Sequence, residues 1–148
     1  MRRSGLKPPS ASLDPGSLPQ LIGYRLRLAQ QAVFRDFAAS VPGLSPGRIG
    51  MLLLIEANAG VTQSRLAEAV GRDRSTMVGV LDQLEAKGLV VRRKGADRRT
   101  NGLWLTRAGR GLIVRAKRAI AIHEQRVAAR LSAAERAQLL VLLARIVA

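Results

Sequence analysis

Cysteine is absent from this chain, which excludes disulfides, thiolate metal sites and thiol-based redox sensing. Histidine occurs once, at His123, so a conventional zinc site cannot be assembled and any Ser-His-Asp triad would have to pass through that residue. Aromatic residues make up only 3% of the chain. The core must therefore be built from Leu, Ile, Val and Ala, which favours packed helices over a β-sandwich. Apolar stretches such as Met51–Ile55 are far too short to cross a bilayer, and the N-terminus lacks the apolar core of a secretory signal. A soluble cytoplasmic protein without a membrane partner is expected. A phosphate loop, a metal-ligand cluster and a paired nucleophile and base are also missing, so the chain reads as a non-enzyme that needs no cofactor.

Acidic residues are scarce as well, 10 against 25 lysines and arginines, for a formal charge of +15. That exceeds what solubility requires. Such a field attracts polyanions, with nucleic acid the first candidate and an anionic membrane surface or acidic proteins behind it. What the chain does have is length and apolar mass: 148 residues, 47% of them hydrophobic, enough for one domain with a real core.

Residues 1–16 carry Arg2, Arg3 and Lys7 among prolines and serines, with no apolar periodicity. They read as a disordered basic arm, either a solvated tail or one that touches phosphates. Residues 17–148 read as a single domain. Ser17 and Gln20 have capping-box spacing, with Pro19 in the first turn, so a long helix is predicted from Ser17 to about Ala39. Its stripe of Ile22, Leu26, Ala29, Val33 and Phe37 is widened by Leu21, Leu28 and Ala32, which suggests a second partner such as another subunit.

Pro42-Gly43 breaks the chain and Ser45-Pro46 restarts it as a short helix that stops near Asn58-Ala59-Gly60. Thr62 caps a helix through Val70, Gly71 turns the chain, and Asp73 caps the next helix, which Gly88 ends. Two helices joined by so tight a turn have helix-turn-helix spacing. In the second, Met77, Leu81 and Leu84 lie on one face, leaving Arg74, Ser75, Val78, Gly79 and Asp82 on the other. That mixture suits close approach to base edges, and with Arg72 and Thr76 it forms a candidate DNA-reading set. Thr62, Gln63, Ser64 and Arg65 open the first motif helix, where they either hold phosphates or simply cap.

Leu89 to Lys94 and Asn101 to Leu105 follow, separated by a basic tip rich in turn formers. Leu89 and Val91 on one strand and Leu103 and Leu105 on the other alternate as a half-buried hairpin requires, predicting a β-hairpin wing. Trp104 in this strand is assigned to packing or to a surface anchor. Thr106 caps a long helix striped by Ile113, Ala116, Ile120, His123, Val127 and Leu131, in which His123 is either a structural histidine or a pH or ligand sensor. Ser132 and Glu135 open a last, very apolar helix whose burial against a twin chain is the cheaper arrangement.

The run Leu84-Glu85-Ala86-Lys87-Gly88-Leu89-Val90, then Asp97-Arg98-Arg99, then Leu105-Thr106-Arg107-Ala108-Gly109 resembles the multiple antibiotic resistance regulator (MarR) family of bacterial winged-helix repressors. The likeness runs from about Leu18 to the C-terminus. It implies a mainly α fold with a small β-hairpin wing. The winged helix-turn-helix lobe would be 45–106, and the N- and C-terminal helices, 17–40 and 107–148, would form a dimerisation region. It implies that Asp97 supports the wing while Arg99 reaches DNA at the minor groove, where a narrow groove concentrates negative potential. Arg98, Arg92 and Arg93 would steer or touch the backbone.

It implies a homodimer on a palindromic double-stranded operator, and a small-molecule effector, an aromatic carboxylate or its acyl-CoA thioester. Tyr24, Arg25, Arg27, Leu28 and Phe34 are the candidate linings. Arg25 and Arg27, two places apart, cannot share a helix face. The expected function is a ligand-responsive, sequence-specific regulator, a repressor by family habit. The alternative is an architectural or non-sequence-specific nucleic-acid-binding protein.

Overall fold

Single polar side chains start five of the helices. The computed structural model describes residues 13–41, 43–95 and 100–148, and the chain divides into two compact units, 1–32 and 33–148. Helix α1 (Ile22–Ser40) begins in the first unit and ends in the second. The second unit continues with α2 (Pro46–Ala57), β1 (Val61–Thr62), α3 (Gln63–Ala69), α4 (Arg74–Ala86), β2 (Val90–Lys94), β3 (Asn101–Leu105), α5 (Arg107–Val127) and α6 (Ala133–Ile146). Ser45, Thr62, Asp73, Thr106 and Ser132 sit in extended backbone before α2 to α6 and accept from the amides of Arg48, Arg65, Thr76, Gly109 and Glu135. Each satisfies one amide that the helix start leaves without a partner. The Glu135 carboxylate in turn accepts from the Ser132 amide at 2.8 Å.

In the first unit the predicted capping box at Ser17 does not form. Ser17 is helical itself (φ −81°, ψ −8°) and its side chain caps nothing. Leu18–Gln20 is a single 3-10 turn, Leu21 is extended, and α1 starts at Ile22. A cap needs an extended Ser, and Ser17 is helical, so its side chain leaves the first-turn amides uncapped and the helix begins afresh after the extended Leu21.

The wing is larger than a hairpin. β1 joins β3 from the other side to make a three-stranded antiparallel sheet in the order β1-β3-β2. The predicted alternation is also shifted by one residue. Val90 pairs with Leu105 and Val91 with Trp104, so Val90, 2% exposed, is the strand residue that faces the core with Leu103 and Leu105. Leu89 is buried before the strand starts, its amide bonded to the Leu84 carbonyl at the end of α4. A slip of one residue exchanges the two faces of a strand.

The core of this unit gathers Ile49, Met51, Leu52 and Ile55 of α2, Leu66 and Ala67 of α3, Met77, Leu81 and Leu84 of α4, and Ile113 and Ala116 of α5 around that sheet. Trp104 covers Gly60 and Gly102; a Cβ on Gly102 would stand 2.5 Å from the indole. Its role is therefore packing across the strands. No residue of α6 is buried, and Leu139, Leu140, Val141, Leu142 and Ile146 are exposed, as are Val114, Ile122 and Val127 of α5. No helix among the described residues is long and apolar enough to cross a membrane.

His123, 2% exposed, has an edge-to-face contact with Phe37 at 5.3 Å and shares a 2.6 Å hydrogen bond with Asp36. Arg126 grips the same carboxylate with two 3.0 Å bonds. Arg126, then His123, hold the Asp36 carboxyl down at about 2. Because the folded value lies below the ordinary 3.8, this contribution to stability is complete above that value and is lost as pH falls toward 2. Thermal melts should therefore show Asp36→Asn less stable than wild type near neutrality, with the gap closing as pH drops through that window. A gap that stays constant would mean that Asp36 is not bound this way.

Candidate nucleic-acid interface

The turn between α3 and α4 is made by a glycine in the left-handed region of the backbone, which most other side chains disfavour. Gly71 takes φ +63°, and the amides of Gly71 and Arg72 bond back to the carbonyls of Glu68 and Ala67. That closes α3 with a Schellman arrangement and leaves Asp73 free to start α4 at once.

Asp73 is the best-tied cap in the chain. One carboxylate oxygen accepts from the Thr76 amide at 2.8 Å and the Ser75 hydroxyl at 2.6 Å; the other accepts from the Thr76 hydroxyl at 2.7 Å. These bonds, Ser75's first, hold its carboxyl far below the ordinary carboxylate range. Ser75 and Thr76 commit their hydroxyl protons to this cap, so toward a ligand they present acceptors.

The outer face of α4 stands as the sequence predicts. Arg74, Ser75, Thr76, Val78, Gly79 and Asp82 are all exposed, with Val78 at 42%, while Met77, Leu81 and Leu84 are sealed inside. Arg72 is exposed just before the helix, as are Ser64 and Arg65 on α3; Thr62 and Gln63 are half-buried, and Thr62 is the α3 cap. Asp82 differs from the rest. It accepts from the Arg92 guanidinium of β2 at 2.7 Å, and Glu85 takes the other arm of that guanidinium and also the Arg92 amide at 3.3 Å. Arg92 is thereby a brace between α4 and the wing strand, and Asp82 is half of its anchor.

Sequence reading did not pair these groups. The available signal was two acids at i and i+3 on a helix followed by a basic strand, which a half-buried arginine can span. Double-mutant melts of Asp82→Ala and Arg92→Ala should show a coupling of about 0.5–1 kcal/mol, the modest range of partly exposed pairs. Strictly additive losses would mean that the pair does not act as a brace. Past Arg92, Arg93 and Lys94 are exposed toward the wing tip. Asp97, Arg98 and Arg99, the wing residues singled out from the sequence, lie outside the described residues, as does the arm through residue 12.

The MarR family model matches residues 43–100, the span from α2 through the wing. A putative transcriptional regulatory protein for the hcr operon of Thauera aromatica is 42% identical over 153 residues, covering 99% of this chain and 92% of that one. This chain belongs to the MarR family. Among solved MarR-like structures, the transcriptional repressor CouR bound to a 23-mer DNA duplex is 40% identical with a TM-score of 0.88, covering 93% of this chain and 100% of that one. CouR bound to p-coumaroyl-CoA is 39% identical with a TM-score of 0.85, covering 92% and 98%. The PcaV regulator of Streptomyces coelicolor, in complex with its natural ligand, is 29% identical with a TM-score of 0.81, covering 93% and 96%.

The six α-helices and small antiparallel sheet among the described residues are therefore the MarR winged-helix fold, and the protein is a transcriptional regulator. The candidate effector residues of this MarR-family chain fall in both units. In the first, Arg25 donates to the Pro19 carbonyl at 2.7 Å, Arg27 lies 5.3 Å from the centre of the Tyr24 ring, and Leu28 is 39% exposed. The two arginines thus take different partners, as their spacing requires. In the second unit Phe34 is 48% exposed. Among the described residues no group of His, Cys, Asp and Glu is placed to hold a metal ion.

Proposed function

We propose that this regulator is a homodimeric, ligand-responsive repressor that binds a palindromic operator and is released by an aromatic carboxylate in the form of its CoA thioester. The observation that carries the reading is the likeness, over more than nine-tenths of the chain, to a repressor seen both on a DNA duplex and with p-coumaroyl-CoA. The exposed face of α4, braced to a basic strand, is the part that would enter a major groove. Arg99 of the wing would reach the adjacent minor groove, supported by Asp97, while Arg98 would meet the backbone. Arg65, Arg72 and Arg74 would meet phosphates beside it.

Dimerisation is supported by the apolar surface of α5 and α6, which one chain leaves in water and a second copy would cover. Two-fold symmetry then asks for an inverted repeat with half-sites about one helical turn apart. The effector would lie against Tyr24, Leu28 and one of Arg25 and Arg27, the arginine meeting a phosphate of the CoA moiety and the ring covering the acyl group. It must prefer a dimer geometry that no longer fits the operator, because equal affinity for both geometries shifts nothing.

Capture of source-genome fragments by the purified protein, followed by binding titrations on the recovered site, tests this. One inverted repeat should bind far more tightly than random duplex, and Arg99→Ala should lose about tenfold or more of that preference. p-Coumaroyl-CoA should release the DNA where free p-coumarate or free CoA is weaker. Fragments held no better than random duplex would favour an architectural role, and indifference to the thioester would remove the ligand from the reading.

A further inference from the structure

Beside α4 lies a cavity of about 350 Å³, lined by Ser45, Gly47, Arg48 and Met51 of α2 and its cap, by Arg72, and by Val80 of α4. Its floor is apolar, with Met51 2% exposed. Its rim carries two guanidinium groups and no carboxylate. The ion pairs among the described residues engage Arg92, Lys117, His123, Arg126 and Arg136, so neither rim arginine has an acidic partner there.

Both arginines are nevertheless held in place. Arg48 donates to the Gln83 side chain of α4. Arg72 is fixed at the backbone by its amide bond to Ala67, and its guanidinium reaches α2, where a methyl on Gly47 would lie 3.8 Å from Nη2. That distance is ordinary contact, so packing does not require glycine at this helical position. Gly47 puts no side chain into the cavity that Arg48 and Arg72 line. Two guanidinium groups without an acidic partner among the described residues thus line one concavity, and their planar forks match phosphate oxygens.

We propose that this cavity is a seat for a DNA backbone phosphate, with Arg48 and Arg72 as its two donors. The inference rests on the operator-binding reading above and names a contact in it. Arg72 directly precedes Asp73, the cap of α4, so a phosphate seated here fixes the depth and register at which α4 meets the bases without itself reading sequence.

Operator affinity as a function of salt, measured for the full-length protein and for Arg48→Gln, Arg72→Gln and the double variant, tests the seat. Each substitution should weaken binding about tenfold, the scale of a charge-assisted bond, and should flatten the log–log salt slope by about 1 for each arginine–phosphate bond removed. The ranking of base-pair changes in the operator should stay as in wild type. A scan with single neutral methylphosphonate linkages should find one position in each half-site that weakens wild type and leaves the double variant unaffected. Gly47→Glu supplies a check that unfolding cannot mimic: the helix gains a better former and an acid in its first turn, so the melting temperature should rise while operator affinity falls.

A preferred duplex bound with an unchanged salt slope by the double variant would overturn the seat alone. So would Gly47→Glu that binds like wild type, or a double variant that keeps operator affinity and loses affinity for CoA, which would make the cavity a small-molecule phosphate site. Wild-type protein with no preferred duplex would overturn the operator reading and the seat together.

Discussion

Raising monovalent salt from about 50 to 200 mM should weaken operator binding by roughly a thousandfold or more, because each phosphate neutralised by a side chain releases a condensed counterion. The chain carries a formal charge of +15, and a dimer twice that. How much of it acts on DNA depends on where it lies. Arg92, Lys117, Arg126 and Arg136 are paired with acids within the fold. By contrast, Arg65, Arg72, Arg74, Arg93 and Lys94 are exposed on the same lobe as the outer face of α4, with no acid paired to them among the described residues. Neutralising roughly six to ten phosphates per dimer is the scale at which affinity falls by about three to five powers of ten.

The measurement is a titration of labelled operator at several salt concentrations, with a log–log slope near about −6 or steeper. A shallow slope, about −2 or less, would show that the positive field acts elsewhere and that the α4 face does not bring its neighbours onto phosphates. A steep slope with equal affinity for random duplex would keep the electrostatics and remove the specificity. The two properties separate because phosphate contacts position the protein whereas base contacts specify the site.

Most helix starts in the fold were legible from sequence because they depend on three or four consecutive residues. Ser45, Thr62, Asp73, Thr106 and Ser132 each cap where a short polar side chain precedes an apolar stripe. Ser17 has the same local pattern and fails, since the pattern cannot report that Leu21 is extended and the turn closes at Gln20. Strand faces were less legible for a related reason. Alternation identifies a face only after the first strand residue is known, and Leu89 belongs to the end of α4 and not to β2.

β1 has only Val61 and Thr62, too short for periodicity, and exists because β3 offers it partners at Leu103 and Gly102. The candidate site divides along the same line. The exposed face of α4 follows from helical spacing, so Arg74, Ser75, Val78, Gly79 and Asp82 could be grouped without coordinates. That Asp82 is held by Arg92, and that Arg48 and Arg72 line one cavity, depends on elements brought together by tertiary packing, which spacing does not encode.

Gly109→Ala should be the most damaging single methyl added to this lobe. Gly109 lies in the first turn of α5, where an ideal Cβ would stand 2.1 Å from the Leu89 carbonyl oxygen and 3.1 Å from its carbon. Those atoms are backbone, so no side chain can swing aside. The same carbonyl accepts the Thr106 amide at 3.0 Å, and the Thr106 hydroxyl donates to the Gly88 carbonyl at 2.5 Å while accepting from the Gly109 amide. Relieving the clash therefore means pushing α5 away from the junction of α4 and the wing and straining bonds that also cap α5.

A helical Gly→Ala change ordinarily helps, by up to about 1 kcal/mol in a helix interior and by less in the first turn. Here overpacking of about 1–3 kcal/mol and the loss of one or two hydrogen bonds outweigh it, for a net cost of about 2–3 kcal/mol. For a domain of this size that lowers the melting temperature by roughly 5–10 °C. Ala108, the neighbour in sequence, is exposed, so Ala108→Gly supplies the control: it should cost no more than about 1 kcal/mol. A Gly109→Ala protein as stable as wild type would show that α5 can leave the Leu89 carbonyl freely. In that event α5 is not rigidly joined to the end of α4 and the wing through the Leu89 carbonyl.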